Sequence, residues 1–571
     1  MSFRFVLPEQ LRGAVDQATA DWRANNKLDR FWKKDPSLWT RDGEETWMGW
    51  IDIVERQQGD LAAFEALASD VKTAGFETVL LLGMGGSSLC PEVLAVTFGQ
   101  QKGFPALHIV DSTDPVQVKA ARDKVDLAKT LVVVASKSGS TLEPNVLKQY
   151  FFEEMKQVVG AHKAGSHFLA ITDPGSKMEQ VAKADGFRHI FYGDPQIGGR
   201  YSALSNFGVV AATIAGLDTA KLLSEAAKAV AAAKLPVGEG NSAVDLGLIL
   251  GSAANAGQDK ITVFTSPEIY DLGAWLEQLI AESTGKLGKG ITPVDREAIG
   301  PPEVYGKDRV FAYVRLSGTS DSKLDAQVAA IEAAGHPVIH IEIADRYEIF
   351  GQFFSWEIAT AVAGSVMGIN PFNQPDVESA KIETRKLTSA YEETGKLEER
   401  TPLLEDKGIK VYASETYAAT TLKNKAEDAT LAAFLRVHLD LLKAGDYFAA
   451  LAFLPMFPDH EAAIQTFRHK VRDAKHVATC VGFGPRFLHS TGQDYKGGPN
   501  TGVFLQITAD NAIDVPIPGQ KYSFGVVITA QAAGDLAVLE ARGRRTMRVH
   551  LGADVAAGLK TLSAAIEEAL T

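Results

Sequence analysis

Two cysteines in 571 residues, Cys90 and Cys480, exclude a disulfide framework and a cysteine-based zinc cluster. Long apolar runs are missing too. None approaches the roughly 18 residues that span a bilayer, and the opening Met1-Ser2-Phe3-Arg4 has no secretory pattern. The reading is a reduced, cytoplasmic compartment with no membrane partner. An excess of positive charge is also lacking: 58 Lys and Arg face 71 Asp and Glu, a net charge of −13. That argues against sequence-independent nucleic-acid binding, which relies on Lys and Arg neutralising phosphates. A small anionic ligand is not excluded, because a few donors in a cleft decide that whatever the global charge. No metal-ligand spacing, short-period repeat or low-complexity tract is visible. What remains is ordinary for a globular chain, 46% hydrophobic and 23% charged. It is long enough for two to four domains at roughly 150 residues each.

The most informative stretch is Val132-Val133-Val134-Ala135-Ser136-Lys137-Ser138-Gly139-Ser140-Thr141-Leu142-Glu143-Pro144. A β-branched run stops at a cluster of hydroxyls with one Lys and one Gly, and a helix-compatible stretch follows over 145–156. Such a strand end aims hydroxyls and free N–H groups at the positive end of a helix, where a phosphate can sit. The plain alternative is a Ser-rich turn. The pattern occurs again upstream: a buried strand over 78–82, then Gly83-Met84-Gly85-Gly86-Ser87-Ser88, then an apolar helical stretch over 89–98. Glycines admit a ligand where a side chain would collide. The spacing fits neither a dinucleotide fingerprint nor a Walker loop. Two loops after strands of one sheet make a phosphosugar cradle at the strands' carboxyl ends.

The fold class is α/β. Residues 1–50 read as a helical arm rich in Trp (Trp22, Trp32, Trp39, Trp47 and Trp50), a lid or packing arm. Residues 51–235 alternate strand and helix, with strands over 78–82, 106–110, 130–135, 168–172 and 189–191. Such alternation implies a parallel sheet covered on both faces. A helical stretch over 219–234 leads to a linker over 235–240. A second alternating unit, 236–405, has strands over 260–265, 310–316 and 337–342 and a long helical region around 350–367. The third unit, 406–571, has strands near 478–482, 501–508 and 524–530 and a final helix near 556–569.

Four further constellations can carry chemistry. Gly198-Gly199-Arg200-Tyr201-Ser202 can turn tightly and project a guanidinium, or be a surface turn. Gln278-Leu279-Ile280-Ala281-Glu282-Ser283-Thr284-Gly285-Lys286 places a carboxylate between an amphipathic helix and a Gly turn, where an acid is usually just solvated. Phe372-Asn373-Gln374-Pro375-Asp376-Val377-Glu378-Ser379-Ala380-Lys381 ends in a Lys that serves equally as an exposed helix residue. Leu488-His489-Ser490-Thr491-Gly492-Gln493 holds a His in a loop, more often structural than catalytic.

Together these segments resemble the phosphoglucose isomerase family, built on paired sugar-isomerase (SIS) domains. The resemblance covers roughly 50–395 with the motifs in the family's order. It implies two SIS-type doubly wound parallel-sheet domains, followed here by a C-terminal α/β domain. The C-terminal third is similar to the extension on the isomerase part of fused transaldolase–phosphoglucose isomerase proteins; no transaldolase half is evident. The implied reaction is reversible aldose–ketose isomerisation of glucose 6-phosphate and fructose 6-phosphate in glycolysis and gluconeogenesis, with no cofactor. Glu282 falls at the position of the base that moves a proton between C1 and C2 through a cis-enediol. Gln278 precedes it by four residues, as the family pattern has it. Arg200 would stabilise the enediolate. Ser136, Lys137, Ser138 and Thr141, with Ser87 nearby, would hold the phosphate, and Gly85 and Gly86 would border the substrate. Lys381 would assist ring opening.

The family's ring-opening His lies some 20 to 30 residues after the base. That window reads Val304-Tyr305-Gly306-Lys307-Asp308-Arg309-Val310-Phe311, with no His. His489, in Leu-His-Ser-Thr-Gly-Gln, resembles the His loop of shorter bacterial isomerases, so the C-terminal domain is expected to supply the His; Asp308 is the competing candidate. Asp376 stands where the signature has a small residue, which puts the loop before Lys381 in question, and Cys90 replaces a common Gly. Family members are commonly homodimers that share residues between sites; a His489 from the same chain would remove that need, leaving the oligomeric state open. Two other readings stand: an isomerase of another sugar phosphate such as mannose 6-phosphate, and a phosphosugar-binding SIS regulator. The regulator reading leaves Glu282, Arg200 and Lys381 unexplained and lacks a DNA-binding segment.

Overall fold

The computed structural model describes residues 1–319, 321–398 and 400–571. The chain opens with a short strand, β1 (Ser2–Val6). The first α/β unit follows with β2 (Thr78–Leu82), β3 (Ala106–Val110), β4 (Thr130–Ala135), β5 (Phe168–Thr172) and β6 (His189–Tyr192). They run parallel in the order β3-β2-β4-β5-β6. Every residue of β4 is buried, which is why it reads as an unbroken apolar run: helices cover both faces of the sheet. Crossing order between β2 and β4 leaves the ends of these two strands side by side, and both motif loops start there.

The second unit contributes β7 (Lys260–Thr265), β8 (Thr292–Val294), β9 (Arg309–Leu316) and β10 (Val338–Ile343). Its sheet has the order β1-β10-β9-β7-β8, parallel except for β1. The arm over 1–50 is therefore not wholly helical. Five residues, Ser-Phe-Arg-Phe-Val, are too few for a period to show, and β1 gains its ladder only from β10, far along the chain. The rest of the arm is helix Glu9–Ala24, helix Lys27–Trp32 and short turns. Its Trp residues are core: Trp22 and Trp50 are buried, and Trp50 stacks on Tyr201 with ring centroids 5.0 Å apart. One hydrophobic cluster runs through the arm and both units, from Leu11 to Phe372.

The third unit adds β11 (Leu404–Asp406), β12 (Ile409–Tyr412), β13 (Tyr447–Phe453), β14 (Ala478–Phe483), β15 (Gly502–Thr508) and β16 (Arg545–His550), in the order β11-β12-β16-β15-β13-β14. The strand expected over 524–530 is instead the first half of helix Phe524–Ala541. Ser523 caps this helix by accepting from the Val526 N–H, and the Ala-rich continuation propagates it over the β preference of Val526, Val527, Ile528 and Thr529. By length and composition this one helix, among the described residues, could cross a membrane; 67% of it is buried inside the protein. Val515, Ile517, Phe524 and Val527 pack in one cluster with Leu80, Val134 and Phe151 of the first unit. The third unit is thus docked onto the first sheet rather than tethered to it.

Candidate active site

The loop after β4 leads into helix Leu142–Val159, whose N-cap Thr141 makes no side-chain cap bond. In its first turn Pro144 has no N–H and the Glu143 N–H meets its own carboxylate, which leaves the Leu142 N–H and the loop hydroxyls to meet an anion. Gly139 sits at φ +67, and a Cβ there would lie 2.3 Å from the Met178 nitrogen, so the turn requires glycine. The Ser138 and Ser140 hydroxyls are 2.7 Å apart. Ser138, Ser140 and Thr141 line a cavity of about 520 Å³, together with Glu143, Lys381, His489 and Gln531.

The first loop builds the neighbouring wall. Gly85 lies at φ +55, and a Cβ on it would meet Gln278 Nε2 at 2.6 Å and the His489 carbonyl oxygen at 2.9 Å. A Cβ on Gly86 would fall 1.8 Å from the Gly199 carbonyl oxygen. The two glycines let the Gly-rich loop touch both the Arg200 turn and the His489 turn.

Arg200 is almost wholly buried. Its Nε donates to Ser283 Oγ (2.8 Å), Nη1 to Gln374 Oε1 (3.0 Å), and Nη2 to the carbonyls of Pro371 (2.7 Å) and Asn373 (2.9 Å). These four bonds aim Nη1 at Glu282, 3.6 Å from Oε1. Glu282, 7% exposed, accepts from Gln278 Nε2 at 3.0 Å, and the same amide donates to the His489 carbonyl at 2.9 Å. Behind them Lys286 is buried with its ammonium on the Asn370 carbonyl (2.6 Å). Burial and then the Arg200 charge push its pKa well below the usual lysine value.

His489 comes from the turn Arg486–His489 after β14 and reaches across to the first unit, where Nε2 lies 2.9 Å from Glu143 Oε1. The same oxygen accepts from Gln531 Nε2 at 2.6 Å. Burial alone would raise the Glu143 carboxyl; the facing His489 and Lys381 outweigh it and hold its pKa below the ordinary glutamate range. Glu143 went unread in the sequence because an acid in the first turn of a helix is commonplace.

Several expected ligands are placed differently. Lys137 does not face the cavity: its ammonium is captured by Asp173 and lies 3.2 Å from the Pro195 carbonyl, so it braces the loop from behind. Ser136 is turned inward at 2% exposure, and Ser87 is not among the cavity-lining residues. Asp308 pairs with Lys260 at 3.4 Å, beside Asp259 and the Gly445 carbonyl. Among the described residues it makes no bond to the cavity group. Lys381 lines the cavity with its ammonium 3.8 Å from Glu378.

Asp376 has a structural reason. Its carboxylate accepts from Gln493 Nε2 (2.6 Å) and pairs with Arg542, while the Asp376 and Val377 N–H groups donate to Gln493 Oε1 at 3.0 and 3.2 Å. The third unit thereby caps helix Val377–Thr394, which carries Lys381. Asp376→Gly should lower stability by about 1.5–3 kcal/mol, the worth of hydrogen bonds to a charged group. Urea unfolding of the variant beside the wild type checks it.

Residues 66–297 match the phosphoglucose isomerase family model. Over that segment the chain is similar to the phosphoglucose isomerase family. It is 28% identical over 373 residues to a glucose-6-phosphate isomerase from Rubrobacter xylanophilus, covering 57% of this chain and 86% of that protein. It is 26% identical over 461 residues to one from Synechococcus sp. strain JA-2-3B'a(2-13), covering 69% and 85%. The fold is similar to that of a hypothetical protein from Thermus thermophilus, with a TM-score of 0.58 and 24% identity over 67% of this chain and 99% of the other. It is also similar to a glucose-6-phosphate isomerase from Chlamydia trachomatis, with a TM-score of 0.51 and 23% identity over 59% and 74%. The phosphoglucose isomerase segment holds the Gly85 loop, the loop after β4, Arg200 and Glu282; Lys381 and His489 lie beyond it.

Proposed function

We propose that this chain interconverts glucose 6-phosphate and fructose 6-phosphate by proton transfer. The observation that carries the reading is the Gln278 amide, which ties Glu282 to the His489 turn and so joins a proton-transfer carboxylate to the wall of the cavity. The sugar phosphate would anchor at Ser138, Ser140 and Thr141 on the helix N-terminus, and that remote binding would orient the reacting carbons. Glu143 fixes the His489 ring, which takes and returns a proton in ring opening near neutral pH, with Lys381 on the same wall. Glu282 then removes the proton from one carbon of the open chain and delivers it to the other. Arg200, held by four bonds and unable to relax toward water, meets the developing enediolate charge.

The test is formation of glucose 6-phosphate from fructose 6-phosphate by the purified chain, with mannose 6-phosphate offered in competition. Turnover of fructose 6-phosphate with mannose 6-phosphate acting at most as a weak competitor is expected. A preference for mannose 6-phosphate would move the substrate. Binding of sugar phosphate without turnover would sink the enzymatic reading and leave a sensor.

A further inference from the structure

Arg486 has no part in the chemistry above, yet it ties the third unit to two carboxylates of the first. It opens the turn that closes with His489. Its guanidinium forks onto Glu92, Nη1 to Oε2 at 2.5 Å and Nη2 to Oε1 at 2.8 Å. Nη2 also donates to Asp111 Oδ1 at 3.1 Å, and Nε lies 2.8 Å from Asp111 Oδ2. Glu92 stands on helix Leu89–Phe98, directly after the Gly-rich loop; Asp111 follows the carboxyl end of β3. The Ser88 hydroxyl links Asp111 (3.2 Å) to the Gly85 carbonyl (3.1 Å). Gly85 in turn abuts the His489 carbonyl. The turn is therefore pinned at both ends, by Arg486 on two carboxylates and by His489 against Gly85 and Gln278.

We propose that Arg486 is a positioning residue for ring opening: its fork on Glu92 and Asp111 fixes the turn that presents His489 to Glu143. The proposal rests on the isomerase reading. Its physical basis is the narrow tolerance of the His489–Glu143 contact. A proton donor works within about 3.2 Å of its partner, and a misplacement near 1 Å costs on the order of 10²-fold. A planar fork fixes direction as well as distance; an ammonium keeps the charge and loses the direction. Removing the guanidinium would also leave Glu92 and Asp111 facing each other without a cation, so the turn would be pushed as well as released.

The test is a double-mutant cycle on the full chain with fructose 6-phosphate. Arg486→Lys is expected to lower kcat by about 10- to 100-fold, with KM within about threefold, because the phosphate loop is untouched. In a His489→Asn background the same substitution should cost less than about twofold, since its effect runs through the ring. Glu92→Gln approaches the fork from the other side and should give the same pattern at smaller size, which keeps the test alive if Arg486→Lys folds poorly. In both variants the limb of the pH–rate profile that vanishes in His489→Asn should move. Equal losses in both backgrounds, or wild-type kcat in Arg486→Lys and Glu92→Gln, would overturn the proposal. Absence of turnover in the wild type itself would overturn the isomerase reading, and this proposal with it, before any variant is compared.

Discussion

Glu282→Gln is expected to lower conversion of fructose 6-phosphate into glucose 6-phosphate by about 10²- to 10⁴-fold, the usual worth of a positioned proton-transfer group. The substitution changes little else. Gln has the same length, its amide can still meet Gln278, and Arg200 keeps its four bonds to Ser283, Gln374, Pro371 and Asn373. The ion pair given up, at 3.6 Å, is the loosest of the Arg200 contacts. The loss should therefore appear in kcat with KM nearly unchanged, since Glu282 lies outside the loop proposed to hold the phosphate. Exchange of the C1 or C2 hydrogen with solvent should fall by the same factor, because both report the carbon-bound proton. A variant retaining more than a tenth of wild-type turnover would remove Glu282 from the reaction.

The half of the candidate site around Arg200 and Glu282 was legible because its motifs are local in sequence. A parallel strand buried on both faces gives an unbroken β-branched run, so β2 and β4 stand out and the loops after them are located to the residue. Arg200 and Glu282 sit in short motifs with glycine on one side. The half around His489 was harder, since its partners meet only in three dimensions. Glu143 and His489 are 346 residues apart in sequence. Lys137 read as a phosphate ligand because nothing local reveals that Asp173, 36 residues on, takes its charge. Asp376 read as a flaw until Gln493 and Arg542 arrived from the third unit. The same logic accounts for the strands. β13, with the sequence Tyr-Phe-Ala-Ala-Leu-Ala-Phe, sets three strand-favouring aromatics against an Ala-Ala-Leu-Ala centre that suits a helix, so local preference leaves it undecided. β1 becomes a strand only through β10. The third unit was thus the least readable part of the chain, and it supplies His489 and caps the helix of Lys381.

The contact that holds this unit against the second carries the other large expected effect. Arg309 and Glu297 pair at 3.1 Å with neither side chain exposed. Glu297 also accepts from Thr479 Oγ1 of β14 at 2.8 Å, and Arg309 donates to the Val477 carbonyl at 3.2 Å. Arg309→Met should cost about 3–5 kcal/mol, because it leaves a buried carboxylate without its main counter-charge. The double variant Arg309→Met/Glu297→Met should regain much of that loss, since an apolar pair needs no compensation. The pH dependence has a definite sign. In the wild type, burial raises the Glu297 carboxyl, but Arg309 and Arg468 outweigh it and the folded pKa lies below the ordinary value. Its stabilisation is complete above the unfolded pKa of about 4.3 and is lost as pH falls through the folded value. In Arg309→Met burial has less opposing it, the folded pKa rises, and the penalty grows as pH rises above about 4.3. The deficit relative to wild type should therefore be larger at pH 7 than near pH 4.5. Hydrogen exchange of peptides covering β9 and β14 would read the opening free energy at both pH values. A deficit independent of pH would place the cost in packing rather than in the stranded charge, and turnover that survives local opening of β14 would show that His489 is held by the first unit alone.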